Sequence, residues 1–543
     1  MSFLIIHGHF YQPPRENPWT GIVEEQPSAA PFHDWNERVH FECYRANAFV
    51  RVGGREPDER FVNNYENISF NFGPTLLTWL ETHHGYTYAR IIEADRESAL
   101  RHNGHGNAIA QAYGHAILPL CNDRDLGTQI RWGLADFRYR FGREAEAMWL
   151  PETACNDRVV SALIDEGLRY VILAPHQAAR IRTASDSERL DRVRTGSGSD
   201  RVDLSPDESG GRSVNENTID TSLPYRYTHR DRPNKSISVF FYEGPTSRSI
   251  AFENLLRSSR DFVEALTRSA SGKRMINVAT DGETYGHHFK FGDLCLAHAL
   301  AEEAPAGGFQ ITNYGEYLDR QSPEFEVEIN SGPDGEGTSW SCVHGVGRWI
   351  RDCGCHTGGG PGWNQKWRTA LREALDFLRD QNIEHFEATR GSLLVDPWQA
   401  RDDSIALILN QNESRERFLF DHAGRWLSAD EQQRALTHLE LQRMLLLMYT
   451  SCGWFFNDIS GIETIQILKY AARAIDLMEQ LKLPSVRTQF IEILSAAKSN
   501  RPEMGTGADI FRRFVEPLNP NYKKDHATEP LVQQVGRRKT SRV

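Results

Sequence analysis

The sequence predicts an α/β fold, a closed or nearly closed parallel barrel followed by an α-helical domain, and three observations predict it. Seven short apolar, β-rich runs recur with helix-compatible stretches between them, the alternation that parallel strands with crossover helices produce. Each run is trailed by a polar or aromatic residue, and barrel enzymes place their chemistry at the C-terminal ends of their strands. From about Trp363 onward the short runs give way to apolar residues at helical spacing.

The runs begin near Phe3, Ile68, Ala108, Ala147, Tyr170, Ser236 and Met275, and the residues that trail them are His7 and His9, Asn71, His115, Glu152, His176, Glu243 and Asp281. An open doubly wound sheet is the alternative, but no G-x-G-x-x-G turn follows the first run, so a nucleotide-binding version lacks its fingerprint. The barrel is assigned to residues 1–325. Within it, the stretch 183–217 is rich in Ser, Asp, Arg and Gly and is expected to be a mobile loop that could act as a lid. Residues 326–362 form a connecting segment rich in Cys, His and Gly. A helical domain is expected over 363–520, where Trp363, Trp367, Leu371, Leu375 and Leu378, and later Ile462, Ile465, Leu468, Ala472 and Ile475, fall on helical faces. Residues 521–543 are basic and weakly patterned, which predicts a disordered tail.

At 543 residues the chain exceeds one ordinary core, which agrees with a barrel plus an appended domain. No apolar run approaches the roughly 18 to 20 residues needed to span a bilayer, so no membrane span is expected. A formal charge of -12 disfavours binding to nucleic acid or anionic lipid and suits a neutral substrate. The N-terminus reads as a first strand rather than a secretory signal. Eight cysteines without such a signal predict reduced thiols and a cytoplasmic location.

Glu152 follows a strand within Met148-Trp149-Leu150-Pro151-Glu152, where Pro151 ends the ladder and the carboxylate faces a cleft. Asp281 lies in Thr280-Asp281-Gly282-Glu283-Thr284-Tyr285-Gly286-His287-His288, a concentration of titratable groups that a solvated face does not explain. Glycoside cleavage needs two carboxyl groups across the scissile bond, and two strand ends of one barrel can supply them. His7 and His9 share one side of the first strand, because strand side chains alternate with period two. That pair has three readings: sugar-hydroxyl recognition, a metal site of amidohydrolase type completed by a later histidine and Asp281, or a structural pair. Cys342, His344, Cys353, Cys355 and His356 provide enough ligands for a four-coordinate zinc, though not at zinc-finger spacing, and the alternative is reduced thiols around a glycine-rich loop. No metal or other cofactor is assigned on this evidence. In Trp454-Phe455-Phe456-Asn457-Asp458, Trp454 and Asp458 are candidates for stacking on a sugar ring and bonding to its hydroxyls, while the two phenylalanines read as helical core.

The segments HGHFYQPPRENPW, QAYGHAILPL, MWLPETA and VATDGETYGHH resemble, in order, the first four conserved regions of glycoside hydrolase family 57. With TSWSCVHGVGRW and MYTSCGWFFNDISGIET, they resemble a subgroup of that family with an appended helical domain. The resemblance runs to about residue 520 and implies an incomplete (β/α)7 barrel, a retaining mechanism and an α-glucan or maltooligosaccharide substrate. By matching motifs it makes Glu152 the nucleophile and Asp281 the general acid/base, with His7, His9, His115, Trp149, Glu283 and His287 around the substrate. The first region carries extra residues before Gln12, so its subsite geometry is expected to differ. Hydrolysis, glucanotransfer and branching share this chemistry. A metal-dependent amide or ester hydrolase and a non-catalytic glucan-binding protein are the alternatives.

Overall fold

Period-two alternation along strand β1 (Ser2–Phe10) sorts the molecule into an inside and an outside. Leu4, Ile6 and Phe10 pack outward into the large core beneath the surrounding helices, whereas Ile5 faces a separate cluster with Trp149, Tyr170, Phe240 and Met275. The computed structural model describes residues 2–52, 60–183, 212–409 and 414–520. The tail expected over 521–543 and most of the loop expected over 183–217 lie outside the described residues. Among the described residues, no helix is long and apolar enough to cross a membrane.

Seven parallel strands surround that inner cluster. They are β1, β2 (Ser69–Phe72), β3 (Ala110–Gln111), β4 (Met148–Trp149), β5 (Tyr170–Leu173), β6 (Ser236–Phe241) and β7 (Met275–Asp281). β1 is central, pairing with β7 along one edge and with β2 at the end of the other. Parallel pairings or bridges then link β2 to β3, β3 to β4, β4 to β5 and β5 to β6.

The ring is incomplete between β6 and β7. The outer edge of β6 pairs antiparallel with the strand Tyr225–Thr228, so no ladder to β7 forms there. What closes the gap is a backbone bond from Glu243 N–H to Asn277 O (2.7 Å) and the Asn277 amide donating to Phe241 O (3.2 Å). The strand Phe325–Ile329 continues this side sheet, pairing with Tyr225–Thr228 and Ala178–Thr183. At the lower end Tyr314 fills the interior against Tyr170 and Phe240.

Residues facing inward grade from apolar to polar along the strands. Ile5, Ile109, Ala147 and Met275 lie low in the barrel, and His9, Asn71, Gln111 and Asp281 lie at the ends of their strands. That gradient puts the chemistry at the C-terminal mouth, as the strand-end pattern predicts.

Helix α1 (Asp123–Phe141) covers the barrel between β3 and β4; Asn122 caps its N-terminus and Gly142, at φ 67°, ends it in the left-handed conformation. From Trp367 the chain is helical. α2 (Trp367–Glu387), α3 (Ala429–Leu447) and α4 (Ile462–Gln480) bury Leu371, Leu375, Leu378, Leu441, Leu445, Leu468 and Ile475 in a second core. Tyr113, Ile117, Trp132 and Ala154 of the barrel belong to that same core, so the helical region docks on the loops after β3 and β4.

One buried ion pair crosses this junction. Arg401, on the helix Pro397–Asp403, donates to Asp125 (2.7 Å) and to Thr128 (2.7 Å) of α1. Removing one partner of such a pair leaves the other charge buried and costs about 3 to 5 kcal/mol. Arg401→Ala is therefore expected to lower the unfolding midpoint clearly, and Arg401→Ala combined with Asp125→Ala to recover part of the loss, as read by thermal and urea denaturation.

Candidate active site

Glu152 sits one residue beyond the Pro151 that ends β4, and its backbone is left-handed at φ 58°, with Thr153 following at 49°. A non-glycine residue in that region is strained by roughly 1 to 3 kcal/mol and persists only where its surroundings over-determine it. Here they do. Thr153 N–H and Ala154 N–H close a tight turn onto Leu150 O and Pro151 O, Gln177 Nε2 donates to Thr153 O (2.8 Å), and Trp340 N–H donates to Glu152 O (3.0 Å).

The same loop takes hold of the side chain. Trp340 Nε1 (3.1 Å) and Ser341 Oγ (2.7 Å) both donate to Glu152 Oε2. Burial raises the pKa of Glu152, while these donors and the charge of Arg348 pull it back down.

Asp281 ends β7 in register with His9. Its carboxyl reaches solvent in the cleft, yet no side chain or backbone group among the described residues donates to it. Desolvation by the walls, and then the charge of Glu152, lift its pKa to about 7. The two carboxyl groups are thus electrically coupled but differently solvated.

Beneath them lies a hydrogen-bonded floor. His7 meets Ser69 through Nδ1 (3.0 Å) and Asn71 through Nε2 (3.1 Å), and stacks on Trp149. His9 accepts from the Asn71 amide at Nδ1 (2.9 Å) and meets His115 Nε2 through its own Nε2 (3.2 Å). His115, left-handed at φ 53°, bonds Ser451 Oγ through Nδ1 (2.7 Å) and stacks on Tyr11. Burial drives His7 and His9 down to about 3 and His115 well below its ordinary value. All three rings are neutral at physiological pH.

Their nitrogens bond to one another and to amides and hydroxyls, and among the described residues they do not converge with Asp281 on a common point. The indole N–H of Trp149, the hydroxyl of Tyr11 and Nε2 of Gln111 are buried around this floor without a hydrogen-bond partner.

Glu283 lies behind Asp281 and is buried. Its Oε1 accepts from Tyr11 N–H (3.0 Å) and from the Tyr44 hydroxyl (2.5 Å), and burial together with the Asp281 charge raises its pKa to about 8. It braces the strand-end turn. His287 is held by Glu42 and the edge of Trp35, on the outer side of that turn.

Two expected contacts fall elsewhere. Trp454 is buried in the helical core against Tyr449, its indole N–H on Arg368 O. Asp458 clamps a loop by accepting from Ser499, Asn500 N–H and Ser460 N–H. An aromatic run inside an apolar helical stretch buries itself when neighbouring helices cover it, and here they do. Trp340 and Ser341, which sequence reasoning did not single out, stand inside the TSWSCVHGVGRW motif, whose likeness to the family was the signal. Ser451 stands likewise in MYTSCGWFFNDISGIET.

The model of the glycosyl hydrolase family 57 matches residues 35–330, more than half of the chain. The chain belongs to this family. It is a family 57 enzyme, and the seven-stranded incomplete barrel with its helical extension is the expected fold. A second model, a domain of unknown function, DUF3536, matches residues 363–531. Among solved structures, an exo-type maltose-forming amylase from Pyrococcus sp. ST04 superposes with a TM-score of 0.63 at 13% identity, over 91% of this chain and 82% of that one. A family 57 branching enzyme from Pyrococcus horikoshii gives a TM-score of 0.49 at 14% identity, over 91% and 94%. No curated protein sequence matches the chain.

The raised pKa of Glu283 makes stability depend on pH with a defined sign. Unfolded, a glutamate titrates near 4.3. Between that value and about 8 the folded state binds more protons than the unfolded one, so this residue makes the protein less stable as pH rises through that window. Glu283→Gln keeps the acceptor for Tyr11 and Tyr44 and removes the titration. Its unfolding midpoint is expected to fall less than that of the wild type between pH 5 and 8, measured by thermal denaturation.

Proposed function

We propose that this family 57 enzyme is a retaining α-glucan-active hydrolase or glucanotransferase, with Glu152 as nucleophile and Asp281 as general acid/base. The observation that carries the proposal is the unequal environment of two coupled carboxyl groups at neighbouring strand ends. Two donors favour the anionic form of Glu152, whereas Asp281 has no protein donor among the described residues and a pKa near 7. Burial raises both pKa values, and only Glu152 has donors that hold its anionic form, an inequality that suits a division into nucleophile and acid/base. The shared fold of the maltose-forming amylase supports α-1,4-glucans as the substrate class.

In the first step Glu152 attacks the anomeric carbon as the bond to the glycosidic oxygen breaks, and that oxygen takes the proton of Asp281. In the second, Asp281 removes a proton from water or a sugar hydroxyl, whose oxygen displaces Glu152. His7, His9, His115 and Trp149 shape the floor, while Glu283 and His287 position the turn that carries Asp281. We assign the barrel to residues 1–325, the connecting segment to 326–362 and the helical domain to 363–520. A cytoplasmic location accords with eight free cysteines.

Incubation with maltooligosaccharides and amylose tests the reading directly. New reducing ends, redistributed chain lengths or α-1,6 branches are expected, with retained anomeric configuration. Binding without turnover would leave a glucan-binding protein, and inverted products would overturn the mechanism.

The division of labour is tested by two variants. Glu152→Ala is expected to lose activity and to give a glycosyl azide of inverted configuration when azide is added. Asp281→Ala is expected to lose about 10²- to 10⁴-fold on natural glucans. It should keep its first step on glycosyl fluorides, and azide should then give a retained product. The wild-type rate should fall as pH rises through about 7, because the acid form of Asp281 is lost there. With the fluoride substrate, Asp281→Ala should lack that limb.

A further inference from the structure

The loop that holds Glu152 carries a cluster that takes no part in glycosidic chemistry. Cys342, one residue beyond Ser341, is buried, and around it gather His344, Cys353 and Cys355, with one ligand atom from each lying within 4.8 Å of the others. Cys342 Sγ stands 3.9 Å from Cys353 Sγ and 3.7 Å from Cys355 Sγ, and His344 Nδ1 stands 3.4 Å from Cys355 Sγ. A tetrahedral zinc with bonds of about 2.3 Å to sulfur and about 2.0 Å to nitrogen has edges of roughly 3.5 to 3.8 Å. The separations match those edges. They are far from the roughly 2.05 Å of a disulfide.

Local backbone geometry serves the same convergence. Gly354, at φ 82°, turns the chain between Cys353 and Cys355 so that both thiols reach one point. His356 is excluded from it, its Nδ1 accepting from Gly358 N–H instead.

Charge supplies a second, independent argument. Arg348 and Arg368 are buried beside the cluster, and neither forms a salt bridge with a carboxylate among the described residues, although Arg348 is near enough to act on Glu152 through its charge. Their donors end on the carbonyls of Cys355, Phe455 and Phe456, and the Nε of each has no hydrogen-bond partner. Buried cations require compensating charge. Three thiolates and a neutral imidazole around Zn²⁺ carry a net single negative charge, which two neighbouring guanidinium groups would offset.

We propose that Cys342, His344, Cys353 and Cys355 form a Cys3His site for a structural zinc ion that pins the Trp340–Ser341 loop against Glu152. Four protein ligands leave no open position, so the ion fixes structure rather than activating water. Soft thiolate ligands in tetrahedral array select zinc over magnesium or calcium. Binding releases the three thiol protons, so affinity falls as pH is lowered. The site lies between residues 330 and 363, outside both matched family regions.

The test is metal content, which does not depend on the glycosidic reading. Untagged full-length protein, purified under reducing conditions with zinc in the medium, is expected to hold one zinc per chain by plasma mass spectrometry. Cobalt(II) in its place should give thiolate charge-transfer absorption and the intense ligand-field bands of tetrahedral coordination. Cys353→Ser and Cys355→Ser should each weaken zinc binding about tenfold or more, His344→Cys should retain one zinc, and His356→Ala should be indistinguishable from wild type. Where a cysteine variant fails to fold, the wild-type stoichiometry and the cobalt spectrum decide. Folded wild-type protein without stoichiometric zinc after reconstitution would overturn the proposal. So would zinc that survives the cysteine substitutions, or a disulfide within the cluster by intact mass.

Discussion

The hydrogen-bond chain through the buried histidines at the barrel mouth is the constraint that organises this molecule. The Asn71 amide spends one hydrogen on Gln111 Oε1 (2.7 Å) and the other on His9 Nδ1 (2.9 Å). His9 is neutral, so a ring that accepts at Nδ1 donates from Nε2, and His115 must receive that proton at its own Nε2. His115 then donates from Nδ1 to Ser451. Each tautomer follows from the one before it. Because the whole chain is neutral, it offers the carboxyl groups above it no cation. That is why desolvation by the cleft walls prevails at Asp281, and why Glu152 relies on two neutral donors and Arg348.

The strained backbone at Glu152 and His115 belongs to the same economy of contacts. Both residues lie in turns after short strands, β4 and β3, and a left-handed turn is the shortest way to bring a side chain back over the barrel mouth. What holds each turn comes from far along the sequence: Trp340 N–H on Glu152 O, and Ser451 N–H on His115 O. Strain at the site is thus supported by segments that are not themselves part of the barrel, and a loosened 340 loop or helical domain would release it.

Much of this was legible because buried parallel strands read as apolar runs, and the first polar residue after each run marks the mouth. All seven strands, and the placement of Glu152, Asp281, His7, His9 and His115, follow from that pattern. Trp454 and Asp458 did not follow, since an aromatic run looks the same whether it faces a cleft or a second helix layer. Trp340 and Ser341 sit in a loop with no periodicity, and only tertiary contact reveals what they hold. In the same way, adjacency in sequence could not separate His356 from His344. The turn at Gly354 does.

The two matched family regions are not two independent modules. Residues preceding the family 57 match reach across the molecule: Trp19 Nε1 donates to Asp476 (2.8 Å), Gln466 Nε2 donates to Glu16 O (2.9 Å), and Lys469 pairs with Glu24 (3.3 Å). All three partners lie on α4, the helix that packs against α3, and α3 leads directly into Thr450 and Ser451. Thr450 in turn donates to Gly114 O (2.9 Å), beside His115. The chain that leaves β1 thus clasps the helix layer, and the helix layer clasps the loop after β3. A barrel expressed without the helical region would lose the partner of His115 and expose the apolar faces of Tyr113, Ile117 and Trp132, so the polar floor and the second core depend on each other.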